Sequence, residues 1–168
     1  MSYDRLDWHL DDADELLELR MEGDDELHAA RAEELAASHI GAFIRWAGQH
    51  GLLDASLFPT ELRRLNAGEI SGTDFLRDCL DEKLTEADVT PEGNAFAGAY
   101  YQHLYFDDYY EVCEPGLLES ELDLNPLNAR LDERLRQFVA NELPRATPWW
   151  RRVLRAFGFR SDSGPKTF

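Results

Sequence analysis

The sequence predicts an all-α protein: a compact single-domain helical bundle of about six to eight helices. Three observations predict it. Apolar residues recur three and four apart along most of the chain. Runs of alternating β-branched residues, the mark of half-buried strands, are missing. Glycine, proline and capping residues fall between the periodic stretches, where helices start and stop.

The elements follow in order. Asp11 to Glu22 reads as a short acidic helix with Leu16, Leu17 and Met21 on its apolar side, broken by Gly23. A long helix from about Asp25 to His50 carries Ala36, Ile40, Phe43, Ile44 and Ala47 at helical spacing. Gly51 caps it, and Leu52 and Leu53 pack back on its last turn. Pro59 opens a short helix with Leu62 and Leu65, and Gly68 ends it. Ser71 or Thr73 caps the next, where Phe75, Leu76, Cys79, Leu80 and Lys83 repeat at helical spacing. Thr85 to Val89 reads as a turn. Thr90-Pro91 then starts a helix that runs to about Cys113.

That last helix holds five of the six tyrosines. Its aromatic residues surround the helical wheel, so it belongs at the centre of the bundle, with each buried hydroxyl needing a partner. Pro115-Gly116 opens a loop. Asn125-Pro126 starts a further helix, with Leu127, Leu131, Leu135, Phe138 and Val139 inward and Arg130, Glu133, Arg134 and Arg136 outward. A final amphipathic helix, about Pro148 to Phe157, sets Trp149 and Trp150 against Arg151, Arg152 and Arg155. Residues 161–168 read as a loose tail.

Charge divides the chain. Residues 1–142 carry 33 Asp/Glu and 11 Lys/Arg, a net −22, whereas residues 143–168 carry six Lys/Arg and one Asp, a net +5. The expected organisation is therefore an acidic helical domain at 1–143 and a basic amphipathic C-terminal helix and tail at 144–168. An acidic body repels phosphate, so nucleic acid is not an expected ligand, and it favours a basic partner. The 19 aromatic residues argue for a folded body despite the charge. No membrane span is expected, because no stretch approaches eighteen apolar residues. No secretory signal is visible at Met1–Asp12, so the expected location is cytoplasmic, with Cys79 and Cys113 reduced and inert.

Motifs for chemistry are missing. The chain has no nucleophile elbow, no phosphate-binding glycine loop, no His-Glu-x-x-His and no EF-hand loop. The expectation is a protein that is not an enzyme and has no cofactor and no metal. The residues singled out for partner contact are Asp81 and Glu82, then Asp107, Asp108, Tyr109 and Glu111, with His39 and Trp46 on a rim of the long helix. Carboxylates at such positions steer a basic surface into contact, and aromatics anchor it.

Certain motifs also carry a resemblance. Trp8-His9 comes first, then HIGAFIRWAGQHGLL at 39–53. Asp-Glu-Lys-Leu follows at 81–84, and Glu-Gly-Asn-Ala-Phe-Ala at 92–97 precedes the Tyr-rich helix. Over about residues 3–111 the chain resembles a family of uncharacterised bacterial proteins known only as a domain of unknown function. By analogy, small acidic proteins of this kind look like immunity proteins of interbacterial toxin systems. The expected function is an immunity protein, a monomer or homodimer, that binds a cognate toxin with a basic surface and covers or distorts its active site. The alternatives are a metal-binding carboxylate enzyme and an acidic adaptor or nucleic-acid mimic.

Overall fold

The structure is a computed structural model and describes residues 1–18 and 25–144. The expected basic helix at 148–157 and the tail, and the expectations for Met21 and the Gly23 break, lie outside the described residues. Strand β1 (Ser2–Arg5) leads through a 3-10 turn (Leu6–Trp8) into α1 (Leu10–Glu18). Then come α2 (Asp25–Gln49), α3 (Pro59–Asn66), α4 (Gly72–Leu80) and strand β2 (Lys83–Thr85). A rod follows, made of α5 (Pro91–Ala99), a π-helical turn (Tyr101–Tyr105) and α6 (Phe106–Val112). After a 3-10 turn (Glu119–Glu121), α7 (Asn125–Val139) closes the described chain. Helices dominate, as the periodicity predicts.

Local chemistry sets the boundaries. Gly51 adopts φ +67°, and the Leu52 N–H reaches the Ala47 carbonyl, closing α2 with a left-handed cap. Gly68 does the same work after α3 at φ +73°. Ser71, rather than Thr73, caps α4: its hydroxyl accepts from Asp74 N, and Asp74 returns a bond to the Ser71 N–H. Thr90 caps α5 on Gly93 N, with Pro91 in the first turn.

Helix α2 is the axis of the core. Ala36, Ala37, Ile40, Ala42, Phe43, Ile44, Trp46 and Ala47 are all buried, on every side of the helix. Small residues allow this. Gly41 and Gly72 let α2 and α4 meet backbone to backbone, because a Cβ at Gly72 would overlap the Gly41 carbonyl. On another side lies the rod, where Tyr100, Tyr101, Tyr105 and Tyr109 are buried, as expected for the aromatic helix.

Four local expectations are corrected. Strands β1 and β2 do exist, paired antiparallel with Arg5 opposite Lys83 and Asp4 opposite Leu84, so Lys83, expected on the helix of Leu80, opens β2 instead. The tyrosine helix is interrupted by the π turn, where the Tyr105 N–H reaches back five residues to the Tyr100 carbonyl at 3.3 Å. On α7, Val139 is exposed rather than inward. Arg134, expected outward, turns its guanidinium to a buried carboxylate and keeps only 16% of its side chain exposed.

Candidate functional site: a carboxylate between two histidines

Asp4 is the centre of the site. Its strand is irregular between Ser2 and Asp4, and the carboxylate lies inside the protein, 4% exposed. Four groups meet it. The Arg5 N–H donates to Oδ1 at 2.9 Å, and the Tyr101 hydroxyl donates to Oδ2 at 2.8 Å. His9 Nε2 lies 2.6 Å from Oδ1, and His39 Nε2 lies 3.1 Å from Oδ2. An ionised carboxylate only accepts, so each Nε2 carries a proton.

The three residues come from three segments. Asp4 sits on β1. His9 follows the 3-10 turn, and its carbonyl accepts from Ala13 N at the start of α1. His39 sits midway along α2. The two imidazoles meet edge to face with centroids 4.3 Å apart, and His9 stacks on Phe106 at 5.3 Å. The Tyr105 hydroxyl donates to the His39 carbonyl at 2.5 Å, which ties α2 to the π turn. These contacts hold the entrance of α1 against α2 and the rod.

Burial alone would raise the Asp4 carboxyl pKa. Hydrogen bonds from His39 and His9, with their charge when protonated, outweigh it and hold the carboxyl well below its usual range. For His39, burial wins over the neighbouring carboxylate and lowers the pKa, so this ring stays neutral near pH 7.

A half-open pocket of about 30 Å³ adjoins the two rings, bordered by His9, His39, Asp12, Tyr109, Tyr110 and Gly116. That volume admits about one or two water molecules or one small polar group. Tyr110 is exposed at its edge, and Trp8, next to His9, is 56% exposed. Asp12 comes from α1, whose outer face is strongly acidic: Asp11, Asp12, Asp14, Glu15 and Glu18 are all exposed, and Leu10–Glu18 holds no lysine or arginine.

Two further buried carboxylates brace the fold. Asp108 takes two bonds from Arg134, Nε to Oδ2 at 2.6 Å and Nη2 to Oδ1 at 2.8 Å. It also accepts from Arg130 at 2.7 Å and from the Tyr100 hydroxyl at 3.0 Å. Glu119 caps α4 from outside: Oε1 accepts from Gly72 N at 2.9 Å, and Oε2 accepts from Thr73 N at 2.7 Å and Thr73 Oγ1 at 2.8 Å.

The residues expected at a partner surface divide. Asp81 and Glu82 are exposed, in a left-handed turn after α4, and Asp81 pairs with Lys83 at 2.7 Å. Glu111 is exposed and meets Arg130 at 3.1 Å, and Asp107 is half-buried. Asp108, Tyr109, His39 and Trp46 are inside. The rim expected for His39 and Trp46 is corrected: the indole is 1% exposed and donates to Asp132 at 2.8 Å, and His39 faces Asp4. The helical wheel placed both on one edge but did not show that neighbours close on every side of α2. Asp4 carried no sequence signal. His9 and His39 did, as letters of the Trp-His and His-Ile-Gly motifs. Burial pushes the Cys113 thiol up to about 11 and also raises that of Cys79, so neither is a ready nucleophile.

Fold and site together define a helical protein whose termini of β1 and α1 are fastened to a central helix by a buried carboxylate–histidine cluster. Among the described residues, no helix is long and apolar enough to cross a membrane. The chain belongs to the family described as Domain of unknown function (DUF7832), matched over residues 2–123. That span contains Asp4, His9, His39, Tyr101, Asp108 and Glu119 and ends before α7, which supplies Arg130 and Arg134. No curated protein and no solved structure matches the chain.

Proposed function

We propose that the protein is a cytoplasmic immunity protein that binds one cognate toxin through a basic surface of that toxin and blocks its active site. The acidic outer face of α1 carries this reading. Five exposed carboxylates on one nine-residue helix, beside exposed Trp8 and Tyr110, combine long-range steering with aromatic anchors. The Asp4 cluster serves this role indirectly, because His9 fixes the start of α1 and a fixed helix loses less entropy on binding. Charge repulsion keeps the same face from nucleic acid.

Co-expression with a toxin domain encoded beside this protein tests the proposal. The expected result is restored growth and a stable complex whose association slows as salt rises. Failure to protect against any such toxin, with no complex formed, overturns it.

A further inference from the structure

We propose that Asp4, His9 and His39 form a binding site for one divalent transition-metal ion of the zinc type. The donor atoms are already gathered: one nitrogen from each ring and a carboxylate oxygen lie within 4.8 Å of one another. Two imidazoles and one carboxylate suit a borderline ion such as Zn²⁺, and a hard ion such as Mg²⁺ would take oxygen donors instead. Three protein ligands leave a position open, which is the layout of a site that holds water or a ligand. A half-open pocket borders both rings, with Asp12 and Tyr109 on its wall.

The donors are held by the fold. His9 is clamped between the His39 edge and the Phe106 face, and His39 meets Phe106 edge-on at 4.8 Å. The Tyr101 hydroxyl holds Asp4 Oδ2, the second layer of contact that orients a ligating carboxylate. Without an ion, both Nε2 protons point at the carboxylate. On binding, each Nε2 lone pair takes the metal, each ring carries its proton on Nδ1, and Asp4 remains ionised. A dipositive ion also compensates a carboxylate that is otherwise buried among hydrogen-bond donors alone.

The test is metal titration of the full-length protein after chelator treatment, with Zn²⁺ followed by calorimetry and Co²⁺ by its visible spectrum. One ion per chain and a raised melting temperature with Zn²⁺ are expected. His9→Gln changes a ring at the edge of the core, 17% exposed, and is expected to weaken binding by about 100-fold or more. The His28→Gln/His103→Gln double variant, away from the cluster, is expected to bind as the wild type does. Absence of stoichiometric binding in the wild type, or equal affinity in His9→Gln, overturns the proposal. Neither outcome bears on toxin binding, which is read separately.

Discussion

Gly72 rests against the carbonyl of Gly41, and no side chain fits between them. This contact brings α4 onto α2 at the level of Ile40 and Phe43. It also sets the start of α4 within reach of Glu119. Gly72→Ala therefore forces the two helices apart and is expected to destabilise the protein by roughly 1–3 kcal/mol. Gly98 on α5 has open space around it. Gly98→Ala is expected to stabilise by about 0.5–1 kcal/mol, since it removes unfolded-state freedom without a clash. Urea midpoints at constant slope compare the two. A Gly72→Ala protein as stable as the wild type contradicts the packing described for α2 and α4.

Glu119 should be irreplaceable by its amide. Both of its oxygens accept from donors at the first turn of α4. In Glu119→Gln one of those donors faces an NH₂ group and the favourable charge at the helix start is lost. The expected cost is about 1–3 kcal/mol, read from the same urea unfolding curves.

Arg134 and Asp108 give the protein a defined response to pH. Burial would raise the Asp108 carboxyl, but the bonds and charge of Arg134, then Arg130, hold it below its usual range. Its folded pKa is depressed, so its contribution is present above the ordinary carboxylate range and lost as pH falls below about 4. Tyr100 acts at the other end. Burial and the charge of Asp108 raise its phenol, so the folded state keeps a proton that the unfolded chain releases near pH 10, and stability falls above about that pH. Unfolding midpoints measured across this range should fall at both ends. Arg134→Lys loses the two-pronged contact and should cost about 1.5–3 kcal/mol while flattening the acid limb. An unchanged acid limb in that variant contradicts the role given to Arg134.

Legibility in the sequence followed the range of the interaction. Gly51, Gly68, Ser71 and Thr90-Pro91 act within a few residues, and each boundary they mark is where the sequence places it. β1 was not legible, because four residues carry no periodicity and their partner strand lies some eighty residues away. The π turn, Tyr101 to Tyr105, contains no glycine or proline to mark a break in the helical pattern. The site needed both kinds of information. His9 and His39 stand in the motifs that carry the family resemblance, but their meeting on Asp4 is created by the folding of β1 and α1 onto α2. A signal for the burial of His39 was present: Ala36, Ala37, Ser38, Gly41 and Ala42 surround it with small side chains, which lets other elements close over that stretch.

The most direct measurement is toxin protection by a variant reversed in charge on α1. Asp11→Lys/Asp12→Lys/Glu15→Lys changes exposed positions only and leaves the Asp4 cluster in place. The wild type is expected to protect cells from the adjacent-encoded toxin, whereas this triple variant still unfolds cooperatively in urea, at a somewhat lower midpoint because Asp11 and Asp12 lie in the first turn of α1, yet loses protection. A folded variant that protects as fully as the wild type contradicts the account.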